Sequence, residues 1–246
     1  MNDMARKPRS GTAGSERNML GDPWGEGSSP LFPWPHEDHD WTVRDVAADR
    51  TIFRQGGKPE HLFEIISGTL KLSQVTEDGR QIILGFPSTG ELVGLTGDRE
   101  YRYAAETLTP TRLRLIRWTG FYRQLLEDRA ARDKLLHWLE TQEEMTHAHI
   151  AMLTLHSPVS KLAAFLLRQI SRQKRSAGTD KAIIDLPMTQ RDIATYLDIA
   201  PETCSRTMKK LRKDGVIAAR DRFGNHQLIE ILDRKRLNDF ANSPSL

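Results

Sequence analysis

Leu186–Gly215 reads LPMTQRDIATYLDIAPETCSRTMKKLRKDG, and the fold of the chain turns on how this run is parsed. A first helix is predicted to start at Thr189, whose hydroxyl can satisfy an orphan amide. Asp192, three residues on, suits the positive end of that helix. Ile193 and Leu197 then share one face. Asp198 falls where a tight turn needs a left-handed backbone, which Asp tolerates better than most non-glycines. Pro201 opens a second helix at a position that needs no amide hydrogen. Along it Cys204, Met208 and Leu211 recur at helical spacing, while Glu202, Ser205, Arg206, Lys209, Lys210, Arg212 and Lys213 occupy the other faces. Such a helix packs on one side and is polar on the other. Its first turns carry chemistry suited to base edges, since a Glu accepts from cytosine N4 and an Arg grips guanine O6 and N7. Thr189, Arg191, Thr203, Lys209 and Lys210 are the candidates for phosphate contacts.

After the helix, Val216–Ala218 and Gln227–Ile231 flank Asp221–Asn225, a strand–turn–strand pattern that makes a wing, with Arg220 and Arg222 placed to add phosphate contacts. A basic surface helix in an all-α domain is the alternative. The conjunction of cap, turn, second helix and hairpin argues against it. The run DIATYLDIAPETCSRTMKKLRKDG resembles the DNA-binding domain of the CRP/FNR family of bacterial transcription regulators, and Glu202, Ser205 and Arg206 match the Glu-x-x-Ser-Arg of its FNR/FixK branch. The resemblance implies base contacts by these three residues to a TTGAT-N4-ATCAA palindrome, a homodimer on double-stranded DNA, and RNA polymerase as a further partner. Two positions depart from the family pattern. Asp198 stands for the usual Gly and Ala200 for the usual Ser or Thr, which stiffens the turn and leaves the second helix without a side-chain cap.

The chain has 246 residues, 38% of them hydrophobic, enough for two modest cores. No run approaches the roughly eighteen apolar residues of a membrane span. The first residues lack the apolar core of an export signal, and the single cysteine excludes an internal disulfide, so a cytoplasmic protein is expected. Charge is uneven. Residues 157–246 hold 17 Lys and Arg against 10 Asp and Glu, whereas residues 41–156 hold 15 against 16. The positive excess sits with the helix-turn-helix, as a phosphate-facing domain requires.

Residues 1–40, rich in Gly, Pro and Ser, read as a disordered arm, with Leu31, Phe32 and Trp34 able to dock its end. From Trp41 to Arg117 short apolar runs alternate with turn signals. Leu62–Ile66, Thr69–Val75 and Gln81–Phe86 each end at a turn containing a glycine, Gly68, Gly79 and Gly90 in order, which predicts an antiparallel sandwich or roll over residues 41–129. FEIISGTLKLSQVTEDGRQIILGFPSTGELVGL resembles the cyclic-nucleotide-binding-like β-roll of the same family, so an α+β architecture is expected. In members that bind cyclic nucleotides, a Glu holds the ribose and an Arg with a neighbouring Ser or Thr holds the phosphate. Here Gly94-Leu95 and Arg102-Tyr103 stand at those places. Leu accepts no hydroxyl and the Tyr ring competes for the phosphate space, so Arg102 is expected to be a structural or interdomain ion-pair residue, and no cofactor is expected. One cysteine does not furnish an iron–sulfur cluster, which needs four thiolates. A roll-based metal enzyme needs converging histidines, and this region contains only His61.

A long helix follows over residues 130–156. Leu136, Leu139, Glu143, Thr146, Ile150 and Leu153 are spaced 3, 4, 3, 4, 3, a heptad seam with a polar middle. By resemblance this is a dimerisation helix; the alternative is that the same face packs on the chain's own roll. His137, His147, His149 and His156 read as solvated or interface histidines. Ser157-Pro158 breaks the helix, and Lys161–Gln173 begins the winged-helix domain of residues 157–246 with Leu162, Phe165, Leu166 and Ile170 on one side. Cys204 has two readings: a small apolar core residue, or a thiol whose oxidation disrupts the reading head, activated by Arg206. Two other classes remain beside a ligand-independent regulator: a ligand-gated relative, with haem or another small molecule in the roll, and a β-roll enzyme fused to a DNA-binding domain.

Overall fold

A computed structural model describes residues 41–177, 183–223 and 226–242; the expected arm of residues 1–40 lies outside the described residues. Eight strands come first: β1 Trp41–Val46, β2 Thr51–Phe53, β3 His61–Ser67, β4 Leu70–Val75, β5 Gln81–Gly85, β6 Leu92–Val93, β7 Ala104–Thr107 and β8 Thr111–Arg117. They form two antiparallel sheets, ordered β1-β8-β3-β6 and β2-β7-β4-β5. Alternation along each strand decides what faces what. Phe63, Ile65, Leu113 and Leu115 point between the sheets, where they meet Phe53, Leu70, Val93 and Ala105. Leu62 and Ile116 point outward and are buried by helices. On that outer face Glu64 and Arg114 are cross-strand partners and form a buried ion pair, with the guanidinium 4.8 Å above the Trp41 ring. The expected turn glycines all have positive φ. Gly68 has no substitute, because a Cβ there would lie 2.5 Å from the Thr111 hydroxyl.

The sequence reading ends its strands at Arg117 and starts its helix at Ala130. The structure fills this gap with α1, Trp118–Glu127, before α2, Arg129–Leu153, which Asp128 caps by accepting from the Ala130 amide at 2.8 Å. α1 was not legible because its apolar residues, Phe121 and Leu125 among them, pack against the roll's outer face beyond the reach of local patterning. One side of α2, with Leu135 and Trp138, joins that same cluster.

The remaining elements are α3 Pro158–Ala177, β9 Ile183–Leu186, α4 Gln190–Tyr196, α5 Pro201–Lys213, β10 Ile217–Phe223, β11 His226–Ile231 and α6 Arg234–Asn242. β9 adds a third strand, absent from the sequence reading, to a sheet ordered β10-β11-β9. α3 is one turn longer at each end than Lys161–Gln173, and its Leu162, Phe165, Leu166 and Ile170 are all buried as expected. Ile83 of β5 and Phe86 just after it belong to this second core. Residues of the roll thus complete the packing of the C-terminal helices.

Candidate nucleic-acid interface

α4 begins with a full capping box. The Thr189 hydroxyl accepts from the Asp192 amide at 3.0 Å, and the Asp192 carboxylate accepts from the Thr189 amide, also at 3.0 Å. The same hydroxyl donates to Asp192 Oδ2 at 2.6 Å. Both donors of Thr189 are therefore engaged within the box, so the residue expected to meet a phosphate is also the cap of α4. At the other end Lys161 Nζ donates to the Leu197 carbonyl at 3.2 Å, and Asp198 takes φ 50° to turn the chain. α5 then starts at Pro201 without a side-chain cap from Ala200, as the departure from Ser or Thr requires.

α5 divides cleanly by face. Cys204, Thr207, Met208 and Leu211 are buried, while Glu202, Arg206, Lys209 and Lys210 are exposed, with Ser205 and Thr203 half-buried beside them. Lys210, Arg212 and Lys213 lie in the last turn, where cations oppose the negative helix end. Arg206 Nη2 donates to Thr203 Oγ1 at 3.2 Å, one turn back, so Thr203 holds the guanidinium rather than standing free. Arg191 is exposed on α4. On the wing Arg220 is paired with Glu230 at 2.7 Å, which holds the Glu230 carboxyl below its ordinary range. Arg222 lies in β10, and its side chain is outside the described residues.

Cys204 is fully buried, and burial pushes its thiol up to about 11. Thiolate chemistry is disfavoured at such a site, whatever the neighbouring arginine contributes on the exposed face.

Two contacts that sequence reading missed tie this reading head to the remainder of the chain. Lys71 on β4 sits between Glu106 at 3.2 Å and Asp192 at 3.4 Å, so a roll lysine engages the α4 capping box. Its ammonium is held in the charged form by these carboxylates against the desolvation that opposes it. His149 on α2 stacks on Tyr196 of α4 with ring centroids 4.0 Å apart, and Phe86 meets the same tyrosine at 5.3 Å. Of the four histidines expected on this helix, His149 is thus an intrachain joint, whereas His137 and His147, and His156 beyond the end of α2, are exposed. Nothing local marks His149 or Lys71; each acquires its partner only through docking of distant segments.

The seam residues Leu136, Leu139 and Ile150 are exposed at 58%, 41% and 55%, and Glu143 and Thr146 are exposed with them, while Leu153 is half-buried. The opposite side of α2 packs on the roll, so the alternative of this seam covering its own roll is not what the chain adopts. Inside the roll the Gly94 amide donates to the Tyr103 hydroxyl at 2.9 Å, and Leu95 packs toward α1 and α2. Arg102 pairs locally with Asp98, four residues earlier, and not across domains. Among the described residues no cluster of three or more His, Cys, Asp or Glu is arranged to hold a metal, and no helix is long and apolar enough to cross a membrane.

Comparison with known proteins matches residues 43–128 to the cyclic nucleotide-binding domain and residues 160–240 to the Crp-like helix-turn-helix domain. A "Probable transcriptional activator" of Rhizobium leguminosarum bv. viciae is 31% identical over 71% of this chain and 72% of its own length. The nitrogen fixation regulation protein FixK of Rhizobium meliloti (strain 1021) is 28% identical over 78% of this chain and 84% of its own. The solved structure of FixK2 from Bradyrhizobium japonicum superposes with a TM-score of 0.71 at 23% identity, covering 83% of this chain and 99% of that one, a likeness of fold. The roll, the long helix and the two-faced α5 are therefore parts of one known design, and this chain belongs to the CRP/FNR family, in its FixK-like branch, as a DNA-binding transcription regulator and not an enzyme.

Proposed function

We propose that the chain acts as a homodimer paired through the α2 seam, Leu136, Leu139, Glu143, Thr146, Ile150 and Leu153, and reads a TTGAT-N4-ATCAA-like palindrome. The observation that carries this is the division of α5, with Cys204, Met208 and Leu211 buried and Glu202 and Arg206 exposed. Glu202, Ser205 and Arg206 take the base edges. Arg191, Thr203, Lys209, Lys210 and Arg222 take phosphates, and Thr189 joins them only by releasing Asp192. A two-fold protein matches a two-fold operator, which is why the exposed apolar seam supports the palindrome. Residues 1–40, 41–129, 130–156 and 157–246 act as arm, roll, dimerisation helix and DNA-binding domain.

Control without a cyclic nucleotide is inferred from Leu95 and Tyr103, which by resemblance stand at the ribose and phosphate places: Leu95 offers no acceptor and packs toward α1 and α2, and the Tyr103 ring, whose hydroxyl accepts from the Gly94 amide, competes for the phosphate space. Similar proteins are named as an anaerobic regulatory protein of Bacillus subtilis and a transcriptional activator FnrL of Cereibacter sphaeroides, which supports activation of low-oxygen or redox-linked genes; action in the cytoplasm and contact with RNA polymerase rest on the family resemblance alone. Burial of Cys204 favours its packing role over a redox role.

A second reading, a ligand-gated regulator, draws on a cavity of about 400 Å³ between the roll, α2 and the C-terminal helices, lined by Tyr103, Trp138, Gln142 and Arg168. Fluorescence anisotropy on the palindrome against a scrambled duplex, at one stated salt concentration, separates the two. Specific binding without added ligand supports the first. Equal weak binding to both duplexes overturns it in favour of the second.

A further inference from the structure

A different cavity, of about 480 Å³, opens at the far end of the roll. It exists because β1 and β2 are edge strands of different sheets and do not pair with each other, so the sandwich gapes between them. Its floor is apolar: Ile52, Phe53, Phe63 and Leu115 line it. Its rim is cationic. Arg44, Arg50 and Lys58 line the opening, are exposed, and make no ion pair among the described residues. Two acids also lie there, but Asp45 is engaged by Arg112 at 3.7 Å, leaving Glu60 as the opposing charge against three cations. His61 at the edge is held below the ordinary histidine range by burial and by the nearby Arg117 and Arg44, with Glu60 opposing them, so the rim's positive charge comes from Arg44, Arg50 and Lys58 rather than from this imidazole. The Tyr101 hydroxyl on the floor donates to the His61 carbonyl at 2.6 Å and asks nothing of a ligand.

An apolar floor beneath unpaired cations selects an anion with an apolar tail. We propose that this end of the roll binds an amphipathic monocarboxylate of the medium-chain fatty acid type, its tail on Phe53 and Phe63 and its carboxylate among Arg44, Arg50 and Lys58. The site is separate from the one facing α2. Phe53 links the two, stacking on Tyr101 at 4.0 Å and meeting Tyr103 at 5.6 Å, and Tyr103 lines the α2-side cavity. Occupancy therefore presses on an aromatic group that continues toward α2.

Isothermal titration of the full chain with decanoate tests this, with decyltrimethylammonium and acetate as probes that keep only the tail or only the head group. Because binding alone is read, the outcome is independent of DNA recognition. Decanoate is expected to bind once per protomer, at least about tenfold tighter than either comparator. The double change Arg44→Ala, Lys58→Ala removes exposed side chains only and is expected to weaken it about tenfold. Leu84→Asp, in the α2-side cavity, is expected to leave it unchanged. Failure of decanoate to saturate, equal binding of the cationic probe, or sensitivity to Leu84→Asp without sensitivity to the double change each overturns the proposal.

Discussion

The imidazole of His149 lies flat on the ring of Tyr196, 11° from parallel, and its Nε2 donates to the Tyr196 carbonyl at 3.0 Å. One contact thus joins the helix proposed to pair two copies to the first helix of the reading head. His149 is held below the usual histidine range by burial, against the carbonyl contact that favours the charged form, and Arg168 lowers it further. A histidine whose folded value is depressed binds fewer protons folded than unfolded, so its contribution to stability is full above the unfolded value and is lost as pH falls below it. Between about pH 7.5 and about pH 5.5 the melting temperature of the native chain should therefore fall more than that of His149→Gln. Parallel falls in the two proteins would show that His149 is not titrating in this joint.

Lys71 couples the roll to Asp192 across a half-buried contact. Lys71→Ala should destabilise the chain by about 1–3 kcal/mol in urea unfolding, since it strands two carboxylates. Asp192→Ala should cost about 1 kcal/mol more, because the capping box is lost as well. The double variant should be less destabilised than the sum of the singles, and strict additivity would mean that the ion pair has no energetic role.

Cys204 should resist thiol reagents in the native state and react only on unfolding, because its thiol is buried and raised to about 11. Cys204→Ser should destabilise by about 1–3 kcal/mol by burying a hydroxyl, and more than Cys204→Ala does. Peroxide sensitivity of DNA binding should be the same in native chain and Cys204→Ala; its loss in the variant would restore the redox reading.

On α5 the two kinds of contact are separable. Arg206→Ala should cost about 1–3 kcal/mol on the palindrome and relax the preference at one base. Lys209→Ala or Lys210→Ala should weaken all duplexes alike and lower the salt slope by about 1 each. A uniform loss from Arg206→Ala would assign that residue to the phosphates instead.

Ile150 is 55% exposed and contributes little to the protomer's own core. Ile150→Asp should leave the thermal unfolding of the protomer near that of the native chain while shifting sedimentation to the monomer. Glu143→Leu should tighten the dimer by removing a charge from the seam. A monomeric native chain at micromolar concentration would dispose of pairing through α2.

Local chemistry determined much of this protein. The cap at Thr189, the left-handed turn at Asp198, the uncapped start at Pro201 and the buried stripe of α5 all follow from interactions within a few residues, and each was legible as sequence, the reciprocal contact from Asp192 excepted. The roll's hairpins were legible for the same reason, since Gly68, Gly79 and Gly90 mark backbone states that other residues rarely adopt. Contacts between distant segments carried no such mark. α1 and β9 are short elements completed by surfaces elsewhere in the chain, and Lys71 and Asp192 are 121 residues apart. The Glu64–Arg114 pair, the local role of Arg102 and the choice of which α2 face meets the roll depend on how two sheets and a helix come to rest on one another. Periodicity reports that a helix has faces; which face is covered is decided by shape and charge across the tertiary contact, and only the folded chain brings those surfaces together.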